Sequence, residues 1–384
     1  MKKRRPLEIL LVVPTGDNPE RLKLEGMLQF IHEKNGVRWN ARLAVGGMVS
    51  LKGQLGRKTH YDGIIAYIQS VEDRRILLRT NIPTVLIEDL SFPTRIASRD
   101  SVATILCDHV REGKTAARFF LSRHYRHFAF VGTETDTEWS AQRRDGFVRE
   151  LAKQGLDCAV FPAGDNLGRW LRKLPKPCAL FAARDLRARQ VLDCAFNERI
   201  PVPQELAVLG VDNDEILCTT TEPQLSSVPT WDRSLGYAAG RALDRLLSGK
   251  SRGGLIRTRH AVVVARRSTD ADAVDDPFVS RALDWMRAHL SDDMSANTVA
   301  SGIHYSGRAL RLRFRRCLGV SPAVEALRMR LDRATTLLSN GTLSIAEIAR
   351  QCGFSNTSHL CLRFRAYKGC TPLAYRKSTS EDVK

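Results

Sequence analysis

Residues 344–368 read SIAEIARQCGFSNTSHLCLRFRAYK, which is a short helical segment, a Cys-Gly-Phe turn and a second helical segment. Leu360 and Phe364 are four residues apart, so they share one face of that second helix. Residues 297–317 read NTVASGIHYSGRALRLRFRRC and repeat the design with the same apolar spacing. Each stretch predicts a helix-turn-helix, and two in tandem are a far more specific signal than one.

The residues around these motifs complete an all-α domain over 278–384. Ser306 and Ser355 are expected to cap the two recognition helices, because a serine hydroxyl can accept a hydrogen bond from the first helical turn. Pro322–Ser339 is predicted to be one long helix between the motifs, with proline in its first turn. We expect the first motif to cover about 297–317 and the second about 344–368.

Positive charge is concentrated in this domain. The chain has 384 residues and a formal net charge of +18. Residues 303–377 hold 14 lysines and arginines against three acidic residues, while the rest of the chain is only mildly basic. A compact, strongly basic helical segment is typical of a domain that binds nucleic acid.

Composition and missing motifs exclude several other classes of protein. No apolar stretch is long enough for a membrane span, and the apolar run after the basic N-terminus is too short for a signal peptide. The nine cysteines form no Cys-x-x-Cys pair, which indicates free thiols in a reducing compartment. No nucleophile elbow, phosphate-binding loop or zinc motif is present. We expect a cytoplasmic protein that is not an enzyme and holds no metal or cofactor.

The first 268 residues alternate short apolar runs with helical patterns, which predicts a parallel α/β fold. The runs are Glu8–Val13, Asp62–Tyr67, Pro83–Glu88, Phe128–Gly132, Cys178–Ala182 and Ala207–Val211. Residues 269–277 are polar and acidic and are predicted to be a linker.

Polar residues that follow these runs are the candidate ligand-binding side chains, because ligands bind at the carboxyl ends of the strands in open α/β sheets. Carboxylates and guanidinium groups suit the hydroxyls of a sugar, and a tryptophan face suits its ring. For any single position, a helix cap or an ordinary surface residue is the alternative. The candidates are Asp17, Asn18, Trp139, Arg143, Arg184, Asp185 and Asp212.

Five segments resemble the sugar-sensing core of lactose-repressor-type regulators, and look closest to the xylose-operon branch. The segments are 108–132, 139–147, 177–190, 202–214 and 223–228. The resemblance implies a two-lobe periplasmic-binding-protein-like fold of type I with a ligand clamped between the lobes. Lobe one would span about 7–124 and 226–249, and lobe two about 125–225 and 254–268.

The resemblance also assigns ligand residues. Arg143 matches the Arg of an Arg-x-x-Gly-Phe motif, Asp212 matches the Asp of Gly-x-Asp, and Trp139 matches an aromatic residue of the xylose branch. Arg184 stands where the family usually has a sugar-binding asparagine. Three hypotheses therefore stay open for this domain: a pentose or related sugar, an acidic ligand, and a ligand-blind dimerisation module.

Residues 278–384 resemble the DNA-binding domain of the AraC family, most specifically at Ile345–Ser355 and at the TPLAYR motif of 371–376. The resemblance implies two recognition helices in successive major grooves of double-stranded DNA. Leu312 and Leu362 stand where the family usually has polar residues, so there they offer only apolar contacts, for example to thymine methyl groups. The candidate DNA-binding residues are Ser306, Arg308, Arg311, Asn356, Thr357 and His359 near the bases, and Arg315, Arg316, Arg363 and Arg365 at phosphates.

These observations predict a sequence-specific transcription regulator of carbohydrate catabolism that a small sugar-like ligand controls. We expect a homodimer, because the closed form of the ligand-binding domain would change how two protomers present their helix-turn-helix domains. A contact with RNA polymerase is a further expectation for such a regulator.

Overall fold

The computed structural model describes residues 5–34, 38–44, 60–68, 71–89, 100–135, 137–250, 253–257, 262–274, 276–339 and 343–380. Within this part of the chain, strands β1 to β11 are Leu7–Val12, Trp39–Leu43, Gly63–Tyr67, Thr84–Asp89, Val102–Cys107, His127–Val131, Cys158–Val160, Cys178–Ala182, Leu206–Asp212, Ser226–Pro229 and Gly254–Arg257.

The helices of the same described part are numbered in chain order, and a short 3-10 helix covers Arg267–Thr269. Helices α1 to α15 are Asn18–Glu33, Val71–Leu78, His109–Leu121, Glu138–Ala152, Leu167–Lys173, Asp185–Asn197, Glu215–Thr220, Asp232–Leu247, Pro277–Ala288, Ala296–Gly302, Gly307–Leu318, Pro322–Ser339, Ile345–Gln351, Thr357–Lys368 and Pro372–Ser380.

The strands form two parallel sheets, one in each lobe. The order is β11-β5-β4-β3-β1-β2 in the first sheet and β10-β9-β8-β6-β7 in the second. The central strands are buried on both faces because helices cover both sides, and this explains their continuous apolar sequence. The predicted parallel α/β fold with two lobes is confirmed.

The first crossing between the lobes lies earlier in the chain than predicted. Helix α3 packs on the second sheet, where Ala117 and Phe120 share a core with Phe128 and Phe147. Asp108 caps this helix by accepting a hydrogen bond from the Arg111 amide at 3.0 Å. Lobe one therefore ends near Asp108 instead of residue 124, because the apolar face of α3 is complementary to the second core.

Two short strands lie in the lobes opposite to those predicted. Strand β10 pairs with β9, placing Val228 beside Val211 in lobe two. Strand β11 pairs with β5, placing Ile256 beside Ile105 in lobe one. The assignment of 226–229 to lobe one and of 254–257 to lobe two is thus corrected. In β10, the buried Ser226 amide donates a hydrogen bond to the Ser268 hydroxyl of lobe two at 2.8 Å.

The C-terminal region is all helical and contains the two predicted helix-turn-helix units. Leu310 and Phe314 are fully buried in the core of the first unit, and Leu360 and Phe364 in that of the second. Helix α12 packs into both cores. Among the described residues, no helix is long and apolar enough to cross a membrane. The nine cysteines all lie within the described ranges and form no disulfide bridge.

The predicted linker over 269–277 is mostly packed against its neighbours. Thr269 is buried in lobe two, and the Ala273 amide donates to the Arg123 carbonyl at 3.1 Å. Asp272 forms an ion pair with Arg287 of α9. Residue 275 lies outside the described residues. The connection between lobe two and the helical region therefore makes specific polar contacts to both sides.

Candidate functional site

A cavity of about 160 Å³ lies between the two lobes, at the carboxyl ends of the strands. Typical small-molecule pockets measure about 300–1,000 Å³, so this one suits a ligand no larger than a monosaccharide. Both lobes contribute polar walls. The lining residues are Asp17, Pro19, Glu20, Lys23, Tyr67, Cys107, His109, Glu112, Trp139, Arg143, Arg184, Asp212, Thr230, Asp232 and Leu235.

A buried ion pair forms the wall of lobe two. Arg143 donates from Nε to Glu112 Oε2 at 2.6 Å and from Nη1 to the Ala183 carbonyl at 2.6 Å. His109 Nδ1 lies 3.0 Å from the same carboxylate oxygen. Burial favours the neutral acid, but Arg143 and His109 outweigh it and lower the pKa of Glu112 to about 2. The guanidinium of Arg143 also lies over the Trp139 ring, 4.8 Å from its centroid.

Two glycines bring this ion pair together. A Cβ atom on Gly113 of α3 would lie 2.0 Å from the Arg143 carbonyl oxygen, and one on Gly146 of α4 would lie 2.0 Å from that of Val110. The two helices therefore touch backbone to backbone, which only glycine permits. This close contact places Glu112 of α3 beside Arg143 of α4.

Lobe one has an equivalent arrangement on helices α1 and α8. Lys23 Nζ lies 2.5 Å from Asp232 Oδ1, and both side chains are buried. Gly26 and Gly236 allow the two helices to approach as closely as the pair in lobe two. Burial opposes the ammonium charge, but Asp232 raises the pKa of Lys23 above its ordinary value. The ammonium group also lies 5.0 Å from the centroid of the Tyr67 ring.

Asp212 lies between two cations at the end of β9. Its carboxylate is 3.8 Å from Arg143 Nη2 and 3.8 Å from Arg184 Nε, distances too long for hydrogen bonds. Burial raises the pKa of Asp212 well above its ordinary value, although both guanidinium groups act in the opposite direction. The backbone of Asp212 has a φ of 109°, a strained conformation of the kind found at ligand sites.

Arg184 connects the lobes across the cavity. Its Nη1 donates to Asp17 Oδ2 of lobe one at 3.1 Å, while its Nε faces Asp212 of lobe two. Asp17 precedes α1 without a side-chain capping hydrogen bond, so its carboxylate is available to Arg184. The arginine that departs from the family pattern is therefore flanked by two carboxylates.

Glu20 is a cavity residue whose carboxylate is incompletely satisfied. Its Oε2 atom is buried and has no hydrogen-bond partner among the described residues. Burial raises the pKa of Glu20, although the nearby Lys23 acts against this rise. A buried oxygen without a partner costs free energy, so it favours a ligand that supplies one.

The recognition helices α11 and α14 present a second, very different surface. Arginine side chains are exposed along both helices, at Arg308, Arg311, Arg315 and Arg316 in α11 and at Arg363 and Arg365 in α14. Leu312 is 72% exposed and Leu362 is 69% exposed, at equivalent positions of the two helices. Because both leucines are exposed at the same place in each repeat, they are available for apolar contacts with thymine methyl groups of DNA.

The first turn of α14 differs from the prediction. Asn356, not Ser355, is the N-cap, since its Oδ1 accepts a hydrogen bond from the His359 amide at 2.8 Å. Ser355 instead contacts His359 Nδ1 at 3.2 Å. In α11 the predicted cap is present, because Ser306 Oγ accepts from the Ala309 amide at 3.5 Å. Thr357 is exposed at the start of α14.

Comparison with known domains and proteins agrees with this architecture. Residues 117–269 match the model of a periplasmic binding protein-like domain, and residues 299–378 match that of a helix-turn-helix domain. A solved structure described as a xylose-binding transcription activator superposes with a TM-score of 0.59 at 26% identity, covering 98% of this chain and 99% of that one. This chain is a DNA-binding transcription regulator that combines a periplasmic-binding-protein-like domain with a helix-turn-helix domain.

Two curated relatives extend over most of the regulator. The Xylose operon regulatory protein of Escherichia coli (strain K12) is 29% identical over 334 residues, which are 83% of this chain and 85% of that protein. Its namesake from Haemophilus influenzae is 27% identical over 343 residues, 82% of this chain and 84% of the relative. The similarity to xylose-operon regulators is therefore confirmed. The relatives are regulators, and the expectation that this chain is not an enzyme stays a prediction.

The structure brings five of the seven candidate ligand residues of the regulator into the cavity wall, namely Asp17, Trp139, Arg143, Arg184 and Asp212. Asn18 begins helix α1 outside that wall. The prediction for Asp185 is corrected, because this carboxylate is fully buried inside lobe two. It accepts hydrogen bonds from the Asp214 amide at 2.8 Å and the Ser227 hydroxyl at 2.6 Å.

Sequence reasoning missed the charged residues that helices contribute, above all Glu20, Lys23, Glu112 and Asp232. Each lies on or beside the apolar face of its helix, and an ionisable residue in such a place is a signal of a buried partner. Among the described residues, no group of three or more His, Cys, Asp or Glu side chains is arranged to hold a metal ion. The absence of a metal or cofactor remains a prediction.

Helix α3 links the cavity of the regulator to its DNA-binding region. The first turn of this 13-residue helix carries His109 and Glu112 in the cavity wall, and 13 residues of α-helix span about 20 Å. Just beyond its other end, His124 Nε2 lies 3.5 Å from Glu325 Oε1 of α12. Burial opposes ionisation of Glu325, but His124 and Arg328 lower its pKa to about 2. Helix α3 thus lies between the cavity wall and a contact with the helical region.

Proposed function

We propose that this regulator binds a neutral monosaccharide, a pentose such as D-xylose, in the cavity between its lobes. The observation that carries the proposal is the charge balance of the walls. Five carboxylates face three permanent cations, and each cation already lies beside a carboxylate. Such a set offers donors and acceptors to hydroxyl groups, whereas a carboxylate ligand would have to compete with the carboxylates that already lie beside each cation.

The acidic-ligand alternative is therefore less favoured. Arg184 is the cation that suggested it, and its guanidinium is shared between Asp17 and Asp212. Both relatives are named for the xylose operon, which independently supports a neutral sugar. A ligand-blind dimerisation module would not need buried charges around a cavity of monosaccharide size.

We propose that helices α11 and α14 read operator DNA as a tandem pair. The candidates for base contacts are Ser306, Arg308, Arg311, Asn356, Thr357 and His359, and those for phosphate contacts are Arg315, Arg316, Arg363 and Arg365. The capping role of Asn356 leaves its amide nitrogen for an adenine. Exposure of these arginines, together with the net positive charge of the region, supports this proposal.

The domain limits that we propose are 1–268 for the sugar-binding domain, 269–277 for the connection and 278–384 for the DNA-binding domain. Ligand-driven lobe movement would reach the DNA-binding domain through α3 and the contact between His124 and Glu325. We further propose that the protein acts as a homodimer in the cytoplasm, and that it contacts RNA polymerase at the promoter.

Calorimetry on the full chain tests the sugar proposal. Titration with D-xylose, L-arabinose, D-glucose and D-xylonate should give heat with a neutral sugar, and the heat should disappear in the Asp212→Ala variant. Heat with the sugar acid alone would support the acidic-ligand alternative, and silence across the panel would support a ligand-blind domain. Fluorescence anisotropy with DNA from the upstream region of the gene, at several salt concentrations, tests the DNA proposal.

A further inference from the structure

The connection between lobe two and the helical region carries an aspartate that reaches a recognition helix. Asp276 caps α9, since its Oδ1 accepts hydrogen bonds from the Phe278 amide at 3.0 Å and the Val279 amide at 3.2 Å. Its other oxygen, Oδ2, accepts a hydrogen bond from Nη1 of Arg313 in α11 at 2.5 Å. Burial acts against ionisation, but Arg313 and the two amides lower the pKa of Asp276. One charged carboxylate therefore ties the start of α9 to the middle of the first recognition helix.

Two aromatic rings hold the other sides of the Arg313 guanidinium. Its Nε donates to the Tyr305 hydroxyl at 2.8 Å. The guanidinium lies 4.8 Å from the centroid of the Phe278 ring and 5.6 Å from that of Tyr305, and the two rings are stacked with 4.3 Å between their centroids. A guanidinium that contacts a carboxylate, a hydroxyl and two rings is fixed within the protein instead of turning towards DNA.

The equivalent arginine of the second unit has a different environment. Arg313 and Arg363 each stand directly before the buried phenylalanine of their recognition helix, Phe314 and Phe364. Arg363 is exposed, and its Nε lies 3.4 Å from His359 Nε2. Within the part of the chain that the structure describes, no carboxylate forms an ion pair with Arg363. The two repeats therefore use the same arginine differently, and only that of the first unit is tied to the connection.

The connection that carries Asp276 is anchored in both domains. Ala273 packs against the core of lobe two, and its amide donates at 3.1 Å to the carbonyl of Arg123, two residues beyond the end of α3. Val274, the next residue, packs against the core of the first helix-turn-helix unit. The ion pair between Asp276 and Arg313 therefore sets the direction of α11 relative to lobe two.

We propose that Arg313 is a positioning residue for operator recognition, which Asp276 holds so that α11 presents its base-contacting side chains in one direction. The inference rests on the proposed function, in which α11 and α14 read operator DNA as a tandem pair. Arg313 itself touches neither a base nor a phosphate, because its guanidinium is occupied by Asp276 and Tyr305.

Methylation footprinting and salt titrations of the full chain, on duplex DNA from the upstream region of the gene, test this proposal. Arg313→Ala should weaken binding at least about tenfold, the value of one good base contact. It should lose protection in one of two successive major grooves and keep it in the other, which also shows that the helical region is folded. The slope of log affinity against log salt should not change, because no phosphate contact is lost. The matched variant Arg363→Ala should instead lower that slope by about one.

The variant Asp276→Ser separates positioning from charge. Serine also caps helices, so α9 keeps its first hydrogen bonds while the ion pair with Arg313 is lost. Removal of a carboxylate would by charge alone strengthen the binding of DNA, whereas we expect the same loss as in Arg313→Ala. The double variant should bind within about twofold of either single variant, since both break one interaction. Arg313→Lys keeps a cation for Asp276 and should bind within about threefold of the wild type.

Several results would overturn the role of Arg313. Either Arg313→Ala or Asp276→Ser binding as tightly as the wild type would do so, and a slope lowered by about one in Arg313→Ala would make Arg313 a phosphate contact instead. The wild type separates this outcome from the fate of the proposed function. If the wild type protects neither groove, the proposed reading of DNA fails and the inference falls with it. If the wild type protects both grooves and the variants do the same, only the inference fails.

Discussion

Glu112→Gln is expected to destabilise the protein strongly, because it breaks the ion pair with Arg143 inside the cavity wall. Arg143 would stay buried beside Asp212, whose nearest oxygen is 3.8 Å away and too distant to replace the lost hydrogen bond. Removing one partner of a buried ion pair typically costs about 3–5 kcal/mol. The fall in the pKa of Glu112 from 4.5 to about 2 corresponds to about 3 kcal/mol of folding free energy at neutral pH.

The two magnitudes agree, so a loss of about 3 kcal/mol lowers the thermal midpoint by about 6–12 °C in a domain of this size. Differential scanning calorimetry of the full chain measures this shift, and a urea titration at neutral pH measures the free energy. The matched control is Asp145→Asn on α4. Its partly exposed carboxylate pairs with Arg144 at 3.1 Å, and its loss should cost at most about 1 kcal/mol.

The pH dependence supplies an independent check. A carboxyl group whose pKa is lowered by folding stabilises the protein fully above its unfolded pKa, and this contribution is lost as the pH falls towards the folded pKa. The difference between wild type and Glu112→Gln should therefore be constant at neutral pH and shrink steadily between pH 4.5 and about 2. A variant as stable as the wild type at neutral pH, or a difference independent of pH over that range, would refute the argument.

Three further changes test the other surfaces. Glu325→Gln should lower the thermal midpoint, as Glu112→Gln does, because it breaks the buried pairs with Arg328 and His124. In anisotropy titrations at a temperature where it is folded, it should keep the affinity for sugar within about twofold and abolish the effect of sugar on DNA binding. Leu362→Ala should weaken operator binding by about 1 kcal/mol while the thermal midpoint stays unchanged, since the side chain is 69% exposed. Arg315→Ala should lower the slope of log affinity against log salt by about one, and an unchanged slope would mean that Arg315 touches no phosphate.

The part of the cavity that the sequence predicts is the part built from strand ends. Asp17, Trp139, Arg143, Arg184 and Asp212 each follow a short apolar run, and parallel strands bring their carboxyl ends to one edge. This convergence is a property of the fold class, so it needs no knowledge of tertiary contacts. Recognition of strand–helix alternation was sufficient to find Asp17, Arg184 and Asp212, whereas Trp139 and Arg143 lie in the first turns of α4 and were assigned with the help of the resemblance.

Residues contributed by helix faces could not be found in the same way. Lys23 meets Asp232, and Glu112 meets Arg143, only because pairs of glycines let two helices approach to backbone contact. The partners lie far apart in sequence. The sequence around each helix does not indicate which other helix it packs against. The same limit explains the misassigned strands β10 and β11, whose four-residue lengths carry too little pattern to reveal their neighbours.

The tandem helix-turn-helix was predictable almost to the residue, because its signals are local. Apolar spacing and turn glycines indicate where the helices begin and end, so the prediction needs no knowledge of tertiary contacts. The one error, Ser355 for Asn356 as the second cap, arises because both residues are good caps and adjacent. Which of them closes the helix depends on where the preceding turn ends, and that turn packs against the first unit through Gly353.

Packing within lobe two determines how a ligand can influence the binding of DNA. Helices α3 and α4 touch at Gly113 and Gly146 without room for a single added carbon, so they move as one body with Arg143 and Glu112. The DNA-binding region rests on the same body at His124. Under the proposed function, closure of the lobes around a sugar would move the recognition helices relative to lobe one. Since binding energies are linked reciprocally, operator DNA must change the affinity for sugar by the same factor by which sugar changes the affinity for operator.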